Sequence, residues 1–264
     1  MDDRPISLTL KIMALAMFLF LLAPLIVVVP ISFSGDSYMM FPPSSWSTKW
    51  YGAAFHDRKM ASALSTSLVL ATVVTALSLV ISLPTAYALV RLKPRGADLL
   101  SSLFTAPLLL PTIVLGLAIL IVFSGYGLLA TFQGLVAAHL VVTLPYALRV
   151  LSTALAALPI AAEEAAASLG ASPFTVFRRV TLPTMRAGIV GTTALCFLVS
   201  FDEVVLSLFM TGPRIATLPV AMYHHVEQQA DPLVASLSVL LVVFTLVIVL
   251  VVDRTAGLAK TFVK

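Results

Sequence analysis

Six apolar runs follow one another along the chain, at about residues 12–33, 62–90, 99–123, 132–156, 186–210 and 233–252, separated by short polar stretches. Each has at least the roughly 20 residues that a helix rising 1.5 Å per residue needs to cross about 30 Å of hydrocarbon. The pattern predicts an all-α membrane protein with six transmembrane helices in a single domain over 1–264. The first run is preceded by Arg4 and Lys11 and continues without charge from Ile12 to Phe33. It is longer than the apolar region of a signal peptide and lacks a small-residue cleavage pattern beside Pro30-Ile31-Ser32-Phe33, so it is expected as an uncleaved span.

Composition agrees with this reading. The 264 residues are 60% apolar and 11% charged, with a mean hydropathy of +1.07, values outside the range of soluble domains. In such a chain the net charge of +4 reports orientation and does not point to nucleic acid. With six spans both termini share a side. That side collects Arg4, Lys11, Arg91, Lys93, Arg95, Arg149, Arg178, Arg179, Arg186, Arg254, Lys260 and Lys264, and the other holds Lys49, Arg58, Lys59 and Arg214. The excess places both termini in the cytoplasm. The single cysteine, Cys196, rules out an intramolecular disulfide.

Prolines interrupt the runs at Pro24, Pro84, Pro107, Pro111 and Pro145. Each frees a backbone carbonyl, which a membrane tolerates where protein neighbours or a water-filled cavity satisfy it. The pair Pro107 and Pro111 fits either a bent segment lining a pathway or a packed kink. Between the first two runs, residues 34–61 carry Tyr38, Phe41, Trp46, Trp50, Tyr51 and Phe55, which fit an interfacial aromatic belt on the outer side.

Residues 157–185 form the longest loop on the cytoplasmic side, and its local signals are those of folded structure. Ala161 to Leu169 consists largely of good helix formers, Gly170 is suited to a left-handed stop, and Ser172-Pro173 supplies an N-cap with proline at the first helical position. A second short helix carrying Phe174, Val176, Phe177, Arg178 and Arg179 is expected to end before Leu182-Pro183. Apolar knobs combined with Glu164 fit a docking element, while the same aromatics beside arginines fit a segment lying on the membrane surface.

Two adjacent acids, Asp202 and Glu203, fall within the fifth run, where a charge costs roughly 2.5–3.5 kcal/mol on insertion scales. On a continuous helix Ser200, Glu203 and Ser207 form one polar stripe, facing a central cavity, and Asp202 shares an apolar face with Leu198, Leu206 and Phe209. The acids then either attract an ammonium group of a substrate or make helix–helix contacts, with Asp202 alternatively capping a break. No histidine or lysine partner is expected beside them. His224 and His225 point apart on a helix, so no metal site is expected there, and no catalytic site is anticipated in the chain. The sequence has no nucleophile elbow and no phosphate-binding loop.

Glu164-Ala165-Ala166, Gly170, Val180 and Leu182-Pro183 resemble the signature of permease subunits of ABC importers, with Val180 where isoleucine is commoner. Phe41-Pro42-Pro43 with Trp50-Tyr51, Pro107 to Gly116, Ser200 to Val205 and Thr217 to Val220 look like the second permease subunit of spermidine/putrescine importers. Permeases for opines, 4-aminobutyrate or aminoethylphosphonate look similar. The resemblance implies a type I importer bundle in a bacterial inner membrane. A homologous second permease, two ATPase subunits that bind ATP and Mg, a periplasmic solute-binding protein and a small amine substrate would accompany it, with no cofactor on this chain. It further implies that Glu164, Ala165, Ala166, Gly170, Ser172, Phe174, Phe177, Leu182 and Pro183 form a coupling helix region seated on the ATPase. An ion-coupled secondary transporter is the alternative of another class, and it leaves the loop signature without a role.

Overall fold

The computed structural model describes residues 7–256; Arg4, Lys260 and Lys264 of the charge asymmetry lie outside them. The helices in order are α1 (Leu8–Ser32), α2 (Lys49–His56), α3 (Arg58–Tyr87, continued by a π-helical turn Ala88–Leu92) and α4 (Ala97–Thr105, continued by a 3-10 turn Ala106–Leu109). They continue as α5 (Thr112–Gly125), α6 (Phe132–Ala156), α7 (Ala161–Ser168) and α8 (Pro173–Val176, followed by a π-helical turn Phe177–Thr181). The last are α9 (Leu182–Thr184), α10 (Arg186–Phe201), α11 (Val205–Met210), α12 (Leu218–Gln228) and α13 (Leu233–Ala256). The fold is all-α; among the described residues extended pairing is limited to two isolated bridges, Ser34 with Trp46 and Gly212 with Ile215.

Four helices are long and apolar enough to cross a membrane, or up to six when each of two bent pairs is one span. One bent pair is Ala97–Leu109 with Thr112–Gly125, turned by 103°, where the sequence pattern predicts a single run over 99–123. Pro111 accounts for the position of the bend: it lacks an amide hydrogen and pushes Leu110 into an extended conformation (ψ 139°), so the helix cannot pass through. The other pair is Pro173–Thr184 with Arg186–Phe201, turned by 73° beside Met185. The run expected over 186–210 is interrupted again further along. Its first part, α10, has 16 residues and so measures about 24 Å, and the chain leaves the helix at Asp202 before restarting as α11.

The chain divides into two compact units. One comprises the residues up to Ala61 with Met222–Phe244. Within it the outer loop is organised by Asp36, whose carboxylate accepts hydrogen bonds from the Ser44 hydroxyl, the Ser44 amide (3.0 Å) and the Ser34 hydroxyl (2.8 Å). Those bonds, the Ser44 hydroxyl foremost, hold the Asp36 carboxyl below its ordinary range. The aromatics of this loop divide by role. Trp50 donates from Nε1 to the Asp36 carbonyl (3.2 Å) and the Tyr51 hydroxyl meets Ser32 Oγ (2.7 Å), whereas Tyr38, Phe41, Trp46 and Phe55 are exposed.

The second unit comprises Ser62–Ala221 and the chain from Thr245. One of its cores gathers Leu70, Val74, Ile119, Leu135, Ala138, Leu206 and Met210, drawn from α3, α5, α6 and α11. A second joins Ala86, Leu148, Leu151, Leu155 and Met185. Helices α6 and α10 approach closely because Gly188 has no side chain: a Cβ there would lie 2.6 Å from the Ala154 Cβ. Neither backbone can yield cheaply. Gly188→Ala is therefore expected to lower stability by about 1–3 kcal/mol, whereas Gly191→Ala, which meets nothing within 4 Å, should be neutral or slightly stabilising. Thermal unfolding of the two purified variants beside the parent checks the contrast.

Candidate functional site: a capped hairpin and a broken acidic span

Residues 157–185 fold as the local signals require. Helix α7 ends in a complete Schellman motif: Gly170 has φ +86°, its amide donates to the Ala167 carbonyl (2.9 Å), and the Ala171 amide donates to the Ala166 carbonyl (3.1 Å). Ser172 then caps α8, accepting from the Thr175 amide (3.3 Å), with Pro173 at the first helical position. The second arm does not end before Leu182-Pro183. It continues through the π-helical turn and α9 as far as Thr184, so Leu182 and Pro183 are themselves helical. Proline is accepted there because it occupies the first turn of α9, where no intrahelical donor is required.

A glutamate that the sequence did not single out anchors this hairpin. Glu163 is buried, and Arg91 Nε donates to its two carboxylate oxygens at 3.1 and 3.3 Å. Thr181 Oγ1 donates to Glu163 Oε1 (3.1 Å), and an Arg91 amino group donates to the Leu158 carbonyl (3.1 Å). One carboxylate thus joins the end of the α3 segment, the first arm and the second arm. Each side chain of the ion pair retains only about a tenth of its exposure (10% and 11%), and further hydrogen bonds accompany it, the arrangement in which a buried pair is tolerated. Phe177 adds an edge-to-face contact with Tyr87, with ring centroids 5.1 Å apart, so it is packed where the sequence pattern expects an exposed aromatic.

Much of the first arm and the tip of the hairpin face outward, while Val176 and Met185 are buried. Glu164 and Ala165 are exposed, Ala166 is half-buried, and Leu169 and Phe174 are 90% and 70% exposed. Exposed apolar side chains on a rigid, capped hairpin beside a carboxylate form a surface suited to burial against another protein.

The acids of the fifth run sit at the break between α10 and α11. Asp202 terminates α10, its amide donating to the Leu198 carbonyl (3.0 Å), and its side chain is exposed. Glu203 is half-buried, and its Oε1 accepts from the Leu206 amide (2.9 Å), satisfying one of the orphan donors that open α11. The single polar stripe expected on a continuous helix does not exist, because the backbone leaves helical geometry between its members. Ser200 and Ser207 instead bond to the two ring nitrogens of His139, at 3.0 Å each, and all three residues are buried. Their hydroxyls are turned onto α6 and are not available to line a pathway. The expectation of no histidine near this cluster is thereby corrected. His139 carried a usable signal, since an ionisable residue inside an apolar run marks a functional position by default.

At the bend between the 3-10 turn and α5, a small cavity of about 70 Å³ is lined by Pro107, Leu108, Leu110, Thr112, Leu115, Val142 and Tyr146. His225 Nε2 pairs with Asp231 (3.0 Å) and His224 Nδ1 with Glu227 (3.4 Å), so the two rings have separate partners.

The division between the adjacent glutamates is testable. Removing Glu163 leaves the Arg91 guanidinium buried and uncompensated, so Glu163→Ala should destabilise the protein by about 3–5 kcal/mol, and Glu164→Ala by less than about 0.5 kcal/mol. Thermal unfolding of the purified variants, with limited proteolysis of the hairpin, measures both.

Comparison with known proteins gives the family and the fold. Residues 78–260 match the family described as "Binding-protein-dependent transport system inner membrane component". The chain is 32% identical over 235 residues to the putrescine transport system permease protein PotI of Escherichia coli strain K12, covering 85% of this chain and 82% of that protein. It is 30% identical over 250 residues to the spermidine/putrescine transport system permease protein PotC of the same strain, covering 92% and 93%. Among solved structures it is similar to a bacterial ABC transporter involved in import of the acidic polysaccharide alginate (TM-score 0.69, 17% identity, 99% of this chain and 100% of that one). It is also similar to the inward-facing MetNI methionine ABC transporter (TM-score 0.62, 21% identity, 75% and 94%). The chain therefore belongs to the family of inner-membrane components of binding-protein-dependent transport systems, and it is a multi-pass inner-membrane protein with the fold of an ABC transporter permease.

Proposed function

We propose that this chain is the permease subunit of an ATP-driven importer that carries polyamines, putrescine or spermidine, into the cytoplasm. The observation that carries the mechanism is the hairpin of residues 157–185, fixed from within by Glu163 and Arg91 and presenting Glu164, Leu169 and Phe174 outward. A hairpin so braced moves as one piece with the end of the α3 segment. Closure of an ATPase dimer against its outer face would then be passed to the spans as a rigid displacement. Glu164, Ala165, Ala166, Gly170, Ser172, Phe174, Leu182 and Pro183 belong to this coupling element, with Phe177 supporting it from inside.

In this reading the chain is one permease domain of six spans, with Ala97–Leu109 and Thr112–Gly125 counting as one and α10 with α11 as another, and with both termini in the cytoplasm. It binds no nucleotide and performs no chemistry. ATP and Mg reside on two separate ATPase subunits, a homologous permease completes the pathway, and a periplasmic solute-binding protein delivers the cargo. The polyamine assignment draws on the relatives named above and on the acids of the broken span. Asp202 and Glu203 offer carboxylates to an ammonium group, and a diamine suits two of them. Ser200 and Ser207 are left out of this pathway, since His139 engages them.

Uptake of labelled putrescine and spermidine, in cells with and without this chain and with and without ATP depletion, tests the reading. Unlabelled 4-aminobutyrate and 2-aminoethylphosphonate serve as competitors. Polyamine uptake is expected to require both the chain and ATP. Uptake unchanged by loss of the chain would discard the polyamine cargo, and uptake indifferent to ATP depletion would favour an ion-coupled carrier.

A further inference from the structure

His139 lies on α6 at 1% exposure, away from the hairpin, and its imidazole spans the gap in the broken helix. Nδ1 meets Ser200 Oγ in the last turn of α10, and Nε2 meets Ser207 Oγ in α11, at 3.0 Å each. Between those two serines the chain leaves the helix, and the segment between them carries Asp202 and Glu203. A neutral imidazole has one donor and one acceptor nitrogen, and a hydroxyl can play either part, so the trio is satisfied in either tautomer. The backbone that carries the ring is tied to a neighbouring helix: the His139 carbonyl accepts from Thr143 Oγ1 (3.0 Å), and that hydroxyl meets Ser78 Oγ on α3 (2.8 Å).

An aromatic ring does not stretch. With both nitrogens engaged, the end of α10 and the start of α11 are fixed at one separation, and a relative shift of about 1 Å breaks one of the two bonds. We propose that His139 is a positioning residue: it clamps the two halves of the broken span and so sets where the Asp202–Glu203 turn stands. The consequence for transport rests on the reading that those acids receive the amine. The clamp itself does not, because it is a statement about where the turn sits.

The test uses the assembled transporter with Cys196→Ala and an Asp202→Cys reporter, the exposed position on the turn, labelled on this chain by a small cationic methanethiosulfonate. His139→Ala is expected to change the labelling rate by about fivefold or more, and His139→Gln, which keeps one donor and one acceptor, by clearly less. Ser200→Ala and Ser207→Ala should each shift the rate in the same direction. Adding His139→Ala to the double serine variant should change nothing further. Rates within about twofold of the parent in all these variants would overturn the clamp, as would a His139→Ala effect that persists in full without the serines. If His139→Ala does not assemble, the serine variants and His139→Gln carry the same decision. In parallel, with Asp202 intact, His139→Ala should raise the KM for labelled putrescine uptake more than it lowers the maximal rate, with recovery in His139→Gln. Altered labelling with an unchanged KM would sustain the clamp and overturn the amine-receiving role of the acids instead.

Discussion

Hydrocarbon offers no partner to a backbone amide or carbonyl, so every departure from helical geometry inside a span must be satisfied by the protein itself. Among the described residues the apolar runs leave the helix near Leu110-Pro111 and at Asp202–Val204, and much of the polar chemistry is placed at the latter break. Glu203 takes up a free amide of α11, the Asp202 amide closes α10, and the serines on either side are gathered by one histidine. A broken helix is costly to bury and useful to a transporter. It places a turn bearing two carboxylates where a continuous helix would leave only side chains in a row.

The hairpin of residues 157–185 obeys the complementary rule for charge. A carboxylate loses much of its hydration on burial, and Glu163 is acceptable inside only because Arg91 and Thr181 surround it. That satisfied pair turns two short helices, each too short to be stable alone, into a rigid part continuous with the end of a span. Its neighbour Glu164 is exposed. Adjacent residues with identical side chains thus serve opposite ends, one holding the hairpin to its own chain and the other marking its outer surface.

What could be read from the amino-acid sequence follows the range of the forces involved. The caps of the hairpin, Gly170 and Ser172-Pro173, were legible because capping is decided within a few residues, and the structure reproduces them. Pro107 and Pro111 announced an interruption, but a proline says only that a helix cannot continue and not that the chain will turn by 103°. The second break is legible only as one of the alternatives for Asp202, capping an interruption, because the run around it is otherwise compatible with helix and the interruption goes with hydrogen bonds to a residue more than sixty positions away. Without knowledge of that contact, Ser200 and Ser207 looked like one face of a helix. Nor could the alanine-rich first arm reveal which of Glu163 and Glu164 would turn inward, because the deciding partner, Arg91, belongs to another segment.

The central claim is that the hairpin converts ATP hydrolysis elsewhere into movement of this chain, with the charge of Glu164 aligning the contact. Its most direct test is the complete transporter reconstituted in vesicles with its binding protein, in which ATP hydrolysed and labelled putrescine accumulated are measured together for the parent and for Glu164→Lys. The account predicts that the variant assembles and its ATPase still turns over while accumulation per ATP falls by about tenfold or more, the loss expected when one well-placed interfacial charge is reversed. Accumulation per ATP equal to that of the parent would contradict it.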